Sequence, residues 1–267
     1  MKLAGHNYCE AMHEIWNTLT TEDSDPIEAT TLRNLVKGKF RLYQQDDAMQ
    51  FLFYVFDKLQ QEQTPKSTDF SLMYCFNHNE AWTGYFSEFT SITDSLFTGM
   101  YQKNMTCKKW NQTVKVFEVF IHITLEIATG DVSQAYHEYI SHMDEINEAR
   151  CQVCGDIATQ IHTKEIVKLP QYCIFQINRF DPQNDRKNSK FMLYPRTLNL
   201  KDKYDPVIRY DLISVIIHNG DLEEGHYSTI GRRNDQWVLF NDSITEILED
   251  SNELNNQAYI LFYKRVD

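Results

Sequence analysis

Glycine and proline are scarce in this chain, at 9 and 6 of 267 residues. That shortage excludes a collagen-like repeat and argues against long low-complexity segments, which draw on those residues. Cysteine is sparse too. Cys9, Cys75, Cys107, Cys151, Cys154 and Cys173 are too few for the length, and too irregular, to be the disulfide framework of a small secreted domain. No apolar run approaches the roughly 20 residues of a membrane-spanning helix. The opening Met1-Lys2-Leu3-Ala4-Gly5-His6 is too polar for a signal peptide. The expectation is an intracellular protein, cytoplasmic or nuclear, with no membrane partner. Two Asn-x-Thr triplets, beginning at Asn104 and Asn111, carry little weight without a secretory signal. Positive charge is in deficit: 26 Lys and Arg against 38 Asp and Glu leave a net charge of −12. Nucleic acid is therefore not an expected partner, because phosphate binding needs a basic stripe. A partner with a basic surface or tail fits better.

What is present suits a globular domain: 42% hydrophobic, 24% charged and 13% aromatic residues. The length suffices for one large domain or two small ones. No internal repeat is evident. The first sixty residues read as helical. Ala11, Ile15 and Leu19 recur at four-residue spacing, and the Thr20–Pro26 stretch breaks the pattern. A second helix is predicted over 29–36. A third is marked by Ala48, Phe51, Leu52, Val55, Phe56 and Leu59 on one face, with Asp46 or Asp47 as its cap. From about Asp69 the texture turns to β. Strands are predicted over 117–127, 166–169, 172–177, 212–217, 227–230, 237–240 and 259–263, with turns at Asn219-Gly220 and Asn234-Asp235. Helices first and an extended antiparallel section after them argue an α+β fold.

Thiol-protease chemistry needs a thiolate, a histidine to take its proton and a group to orient the histidine. The last third of the chain offers the second and third. His226 enters one predicted strand and Asn241 ends the next, so antiparallel pairing would bring them together. An Asn or Asp there accepts a ring N–H and fixes the imidazole tautomer. Taken alone, a His-Tyr pair near a strand is more often a surface or core feature.

The surrounding residues carry more. His218-Asn219-Gly220, four residues, then Gly225-His226-Tyr227 resembles the histidine box of ubiquitin-specific proteases. Trp237-Val238-Leu239-Phe240-Asn241-Asp242-Ser243 and Ala258-Tyr259-Ile260-Leu261-Phe262-Tyr263 resemble the family's segments C-terminal to that box. Leu169-Pro170 with Ile177-Asn178-Arg179-Phe180 resembles the family's "LP…RF" element, and Tyr194-Pro195 with Leu198-Asn199-Leu200 its "FP…LdL". Ile92 to Gly99 resembles the strand preceding the fingers. Gln45-Asp46-Asp47-Ala48-Met49-Gln50-Phe51-Leu52 resembles "QQDAHEFL". All occur in family order over most of the chain.

The resemblance implies a papain-like cysteine-protease fold of thumb, palm and fingers in a single domain, 1–267. Residues 1–65 would be a truncated helical thumb and 66–267 the palm, with the fingers inserted around 95–170. The implied partner is ubiquitin or a ubiquitinated protein. His226 would be the general base, Asn241 its orienter and Asp242 the adjacent polar residue. Asp47, Gln50, His218 and Tyr227 would line the path of the ubiquitin tail. The helix motif departs from the family in Asp46, Met49 and Gln50, and Gln50 replaces a Glu that would pair with Arg.

The cysteine box, roughly "GLxNxGNTCYxNS", has no counterpart here. Gly5-His6-Asn7-Tyr8-Cys9 echoes "GNTC", but the spacing is off by one and "YxNS" is missing after it, so Cys9 reads as an ordinary helix cysteine. Cys151-Gln152-Val153-Cys154 is a metal knuckle, yet its partner motif is reduced to Cys107-Lys108-Lys109-Trp110, one ligand short of structural zinc. His122, His137, His142 or His162 could substitute, and no spacing selects one. No cofactor is therefore expected, with zinc the single candidate. Three readings are open. The first is a deubiquitinase-family domain that binds ubiquitin and is catalytically impaired. The second is an active thiol-dependent isopeptidase whose nucleophile lies outside this sequence. The third is an interaction scaffold that no longer binds ubiquitin.

Overall fold

A computed structural model describes residues 7–20, 29–41, 44–64, 71–72, 75–89, 91–181, 186–205, 207–221, 224–248 and 257–266. The break predicted over 21–26 and the Gly5-His6 part of the cysteine echo lie outside them.

The chain opens with α1 (Tyr8–Thr20), α2 (Thr30–Val36) and α3 (Ala48–Gln63). The apolar stripe of α3 turns Val55 and Leu59 onto Tyr8 and Val36, which closes the helical thumb. Glu62 fastens α1 to α3 by accepting from the backbone N–H groups of Tyr8 and Cys9, both at 2.9 Å. Asp47 caps α3, its Oδ1 accepting from Gln50 N at 2.8 Å, a contact whose loss typically costs about 1 kcal/mol.

Helix continues where strand was expected, in α4 (His78–Glu88) and α5 (Ile92–Phe97). The stretch that resembles a strand from Ile92 is wound because Ser91 and Asp94 form a reciprocal capping box. Asp94 is itself buried and accepts from Gln60 Nε2 (2.7 Å) and Tyr85 OH (2.8 Å).

The strands and remaining helix are, in chain order, β1 (Gly99–Cys107), β2 (Gln112–Phe120), β3 (Ile123–Glu126), α6 (Val132–Ser141), β4 (Met143–Arg150), β5 (Ile157–Lys168), β6 (Tyr172–Asn178), β7 (Phe180–Asp181), β8 (Arg186–Lys187), β9 (Thr197–Leu200), β10 (Ile208–Gly220), β11 (Gly225–Arg233), β12 (Gln236–Asn241), β13 (Ile244–Leu248) and β14 (Ala258–Arg265). A four-stranded antiparallel sheet in the order β2-β1-β5-β4 forms the fingers. The palm is an eight-stranded sheet in the order β13-β12-β11-β10-β14-β6-β3, with β9 added on β10.

The run predicted over 117–127 is split between these sheets. β2 ends at Phe120, and β3 pairs parallel with β6 in the palm. The fingers therefore leave the palm twice: β3 and α6 return to it before β4 and β5 complete the second sheet. α6 packs on β3 and β5, burying Val132, Ala135 and Tyr136 in the palm core.

At the centre of the palm, β14 is buried from Ala258 to Leu261. Leu261 and Tyr263 enter the palm core, while Tyr259 and Ile260 meet Met49 of α3. That double burial explains its unbroken apolar sequence. Among the described residues no helix is long and apolar enough to cross a membrane.

Candidate active site and thiol cluster

The hairpin β11–β12 builds the first constellation. Asn234 and Asp235 both take positive φ (45° and 64°), the two-residue turn that suits hairpin twist. It fixes the register, with Arg233 opposite Gln236 and Thr229 opposite Phe240. One further step puts Ser228 across from Asn241, so His226 shares that face and lies diagonal to Asn241, within side-chain reach. His226 Nε2 is 2.5 Å from Asn241 Oδ1 and 3.9 Å from Asp242 Oδ2. An amide oxygen only accepts, so Nε2 carries the proton and the Nδ1 lone pair is left to act as a base. The His226 side chain is half-exposed. Asp242 turns the chain into β13 with φ 51° and is exposed.

Next to this pair lies a cavity of about 290 Å³, lined by Gln45, Asp46, Asp47, Phe180, His218, Asp221, Gly225 and Tyr227. Asp47 is pinned twice: one carboxylate oxygen caps α3 and the other accepts from Tyr259 OH at 2.5 Å. Gln45 Oε1 accepts from Gly225 N–H at 2.9 Å and so ties the loop before α3 to the strand that carries His226. The predicted turn at Asn219-Gly220 falls one step later. Both residues end β10, paired with His226 and Gly225, and the chain reverses beyond them.

His218 packs edge-on to Phe180 and against Tyr227. Its burial, with Lys187 nearby, holds its pKa below the ordinary imidazole value. Its Nδ1 has no hydrogen-bond partner among the described residues. Gly225 must be glycine, because a Cβ there would stand 2.0 Å from His218 Nε2. Burial and Asp47 push the Tyr227 hydroxyl up to about 12, so it stays protonated.

Asp47, His218 and Tyr227 are thus gathered around one cleft, with His226 and Asn241 at its edge. Gln50 is not among the lining residues. It stands exposed at the third position of α3, where its backbone serves the cap. Tyr259, Lys187 and Gln45 were not foreseen as site residues. Lys187 Nζ donates to the carbonyls of His218 (2.6 Å) and Gly220 (2.9 Å), which no sequence spacing signals. Tyr259 carried a signal, as an aromatic whose hydroxyl must find a partner within the apolar run 258–263.

All six cysteines are described and free. Cys9 Sγ accepts from Gln63 Nε2 at 3.1 Å. Gln63 ends α3, whereas Asp47 at its start lines the cleft, and 16 residues of helix separate the two by about 24 Å. Burial raises the Cys9 thiol, the reverse of what activates a nucleophile. Cys75 bonds the Ser71 carbonyl beside the core at the root of the fingers. Cys173 is buried in β6, three strands from β11, with its thiol pushed up to about 12.

The other three converge. The Sγ atoms of Cys107, Cys151 and Cys154 lie within 4.8 Å of one another, and no further His, Cys, Asp or Glu among the described residues joins them. His122 packs on Phe53, His142 pairs with Asp144 at 2.9 Å and His162 with Gln160 at 3.1 Å, while His137 lies on α6. Three thiols fit part of a structural zinc site. They do not fit a closed one, which takes four protein ligands.

A helical thumb over a mainly antiparallel palm, fingers added as a second sheet and a His–Asn pair on adjacent palm strands define a papain-like thiol-protease scaffold. The profile of the ubiquitin carboxyl-terminal hydrolase family matches residues 3–263, and the chain belongs to that family, in its ubiquitin-specific protease branch. It is 26% identical over 83% of its length to a probable ubiquitin carboxyl-terminal hydrolase 8 of Schizosaccharomyces pombe, covering 45% of that protein. It is 24% identical over 94% of its length to ubiquitin carboxyl-terminal hydrolase 8 of Saccharomyces cerevisiae, covering 58%. The chain thus spans about half the length of these relatives. A yeast SAGA DUB module shares the fold, with a TM-score of 0.77 at 22% identity over 98% of this chain and 59% of that one. A SAGA DUB module bound to monoubiquitin gives 0.72 at 22% identity over 89% and 53%.

Proposed function

We propose that this chain is a ubiquitin-binding domain that takes the ubiquitin tail into the acidic cleft beside His226 and has no thiol of its own to turn it over. The observation that carries the reading is the cleft. Asp46, Asp47 and Asp221 line it together with Gly225 and Tyr227, the two neighbours of His226 in the chain. Carboxylates suit the arginine-containing tail that the family accepts. The structural relative bound to monoubiquitin has the same fold. No cysteine among the described residues lies near His226, so its Nδ1 has no thiol to deprotonate. A reducing, intracellular setting agrees with six free thiols.

Titration with ubiquitin tests this. Saturable binding is expected, weakened at least about tenfold, or roughly 1.4 kcal/mol, by deleting the C-terminal tail of ubiquitin. Equal binding of both forms, or none at high micromolar ubiquitin, would overturn it. One observation favours a second reading: the His226–Asn241 pair keeps the 2.5 Å contact that would orient a working base. In that reading a thiol-bearing segment outside these residues completes the site. Isopeptidase activity of the chain together with such a segment, and of neither alone, would establish it.

A further inference from the structure

We propose that Cys107, Cys151 and Cys154 form a three-thiolate site for a soft monovalent cation, copper(I), in place of a closed four-ligand zinc site. The three sulfur atoms lie within 4.8 Å of one another, close enough to share one ion. Their backbone positions are fixed by strand pairing and by a turn. Cys107 ends β1 opposite Gln160 of β5, and Cys151 and Cys154 occupy the turn that joins β4 to β5.

That turn is held by its own hydrogen bonds. Gly155 N–H donates to the Cys151 carbonyl at 2.9 Å, and Cys151 N–H donates to the Asp156 carbonyl at 2.8 Å. Gly155 supplies the φ of 73° that the reversal requires. Val153 N–H points at Cys151 Sγ, 3.4 Å away, a contact that favours the thiolate. Cys107 and Cys151 are buried, while Cys154 is partly exposed and leaves a way in.

Ligand number and softness decide the choice of ion. Zinc completes a tetrahedron, and among the described residues no fourth His, Cys, Asp or Glu stands with the three thiols. Thiolates select soft ions, and copper(I) is satisfied by a trigonal shell of three sulfurs. On binding, each thiol gives its proton to solvent and no electron moves. The three thiolates leave excess negative charge, and Lys109 lies beside them, its Nζ 2.8 Å from Asp156.

The reduced full chain would be titrated without oxygen, with copper(I) against a bathocuproine competitor and with zinc(II) against a chromophoric chelator. One copper(I) per chain, held against the competitor, is expected, with three sulfur neighbours in the X-ray absorption spectrum. Zinc should pass to its chelator. Cys107→Ser and Cys151→Ser should lose the copper, and Cys9→Ser should keep it. Zinc retained in preference to copper(I), neither ion retained, or a copper shell with nitrogen or four sulfurs would overturn the proposal. The absorption spectrum of the unaltered chain decides the matter even if a variant fails to fold.

Discussion

His226 and Asn241 are held by neighbouring strands of an eight-stranded sheet, whereas Cys107 at the end of β1 and Cys151 and Cys154 on the β4–β5 turn gather at the end of a four-stranded one. The first group joins a histidine to an amide, and the second brings three thiols together with no further His, Cys, Asp or Glu among the described residues. The His–Asn pair keeps its geometry because the hairpin register and the buried palm hold it. Nothing in that support depends on a nucleophile. The thiols owe their placing to a few turn hydrogen bonds in a sheet whose β4 is exposed along nearly its whole length. The first site's shape is therefore independent of any thiol, while the number of thiols decides what the second can hold.

The sharpest way to break this contrast is to weaken the palm. Leu261→Ala empties a fully buried position in β14 and should cost about 2–5 kcal/mol in denaturant unfolding. Cys154→Ser at the fingertip, free of metal, should stay within about 0.5 kcal/mol. Comparable losses from the two variants would refute the idea that the palm carries the stability.

Gly225→Ala should cost about 1–3 kcal/mol by forcing the His218 ring away from the new Cβ. Ubiquitin binding in the titration should fall with it. Asp47→Ala removes a helix cap worth about 1 kcal/mol and takes away the acceptor of the Tyr259 O–H, which keeps only the bond it accepts from Gln176 Nε2. It should weaken ubiquitin binding more than stability, and the reverse order would show that Asp47 is only structural.

The smallest effect is that of pH. Burial lowers the pKa of both His122 and His218 below 6.5 in the folded chain. Below that value the unfolded chain binds more protons than the folded one, so stability present above 6.5 is lost as pH falls through the folded values. The melting temperature should drop on acidification toward about pH 5, and less so in His122→Phe. An equal drop in that variant would remove His122 from the explanation.

The fold was legible in the residues where one rule governed. The stripe of α3, the Asn234-Asp235 turn and the apolar run of β14 each obey period, turn chemistry or burial, and that hairpin register carried the His226–Asn241 pairing with it. Legibility failed where two signals competed. At Ile92 the β-like residues lost to the Ser91–Asp94 capping box, and at Phe120 one apolar run served two sheets. β4 and β13 were missed because their exposed strands show no alternation of burial. The cleft was partly legible. His218 and Tyr227 came with the resemblance, but Lys187 and Tyr259 reach it from distant strands through tertiary contacts.

We propose that ubiquitin is bound here without a thiol of this chain to attack it. Ubiquitin bearing a C-terminal electrophile tests it most directly, with adducts read by intact-protein mass spectrometry. The expected result is saturable binding with no covalent adduct above that formed by a tail-deleted control. An adduct that forms at one cysteine, requires His226 and is lost in Cys9→Ala would contradict it.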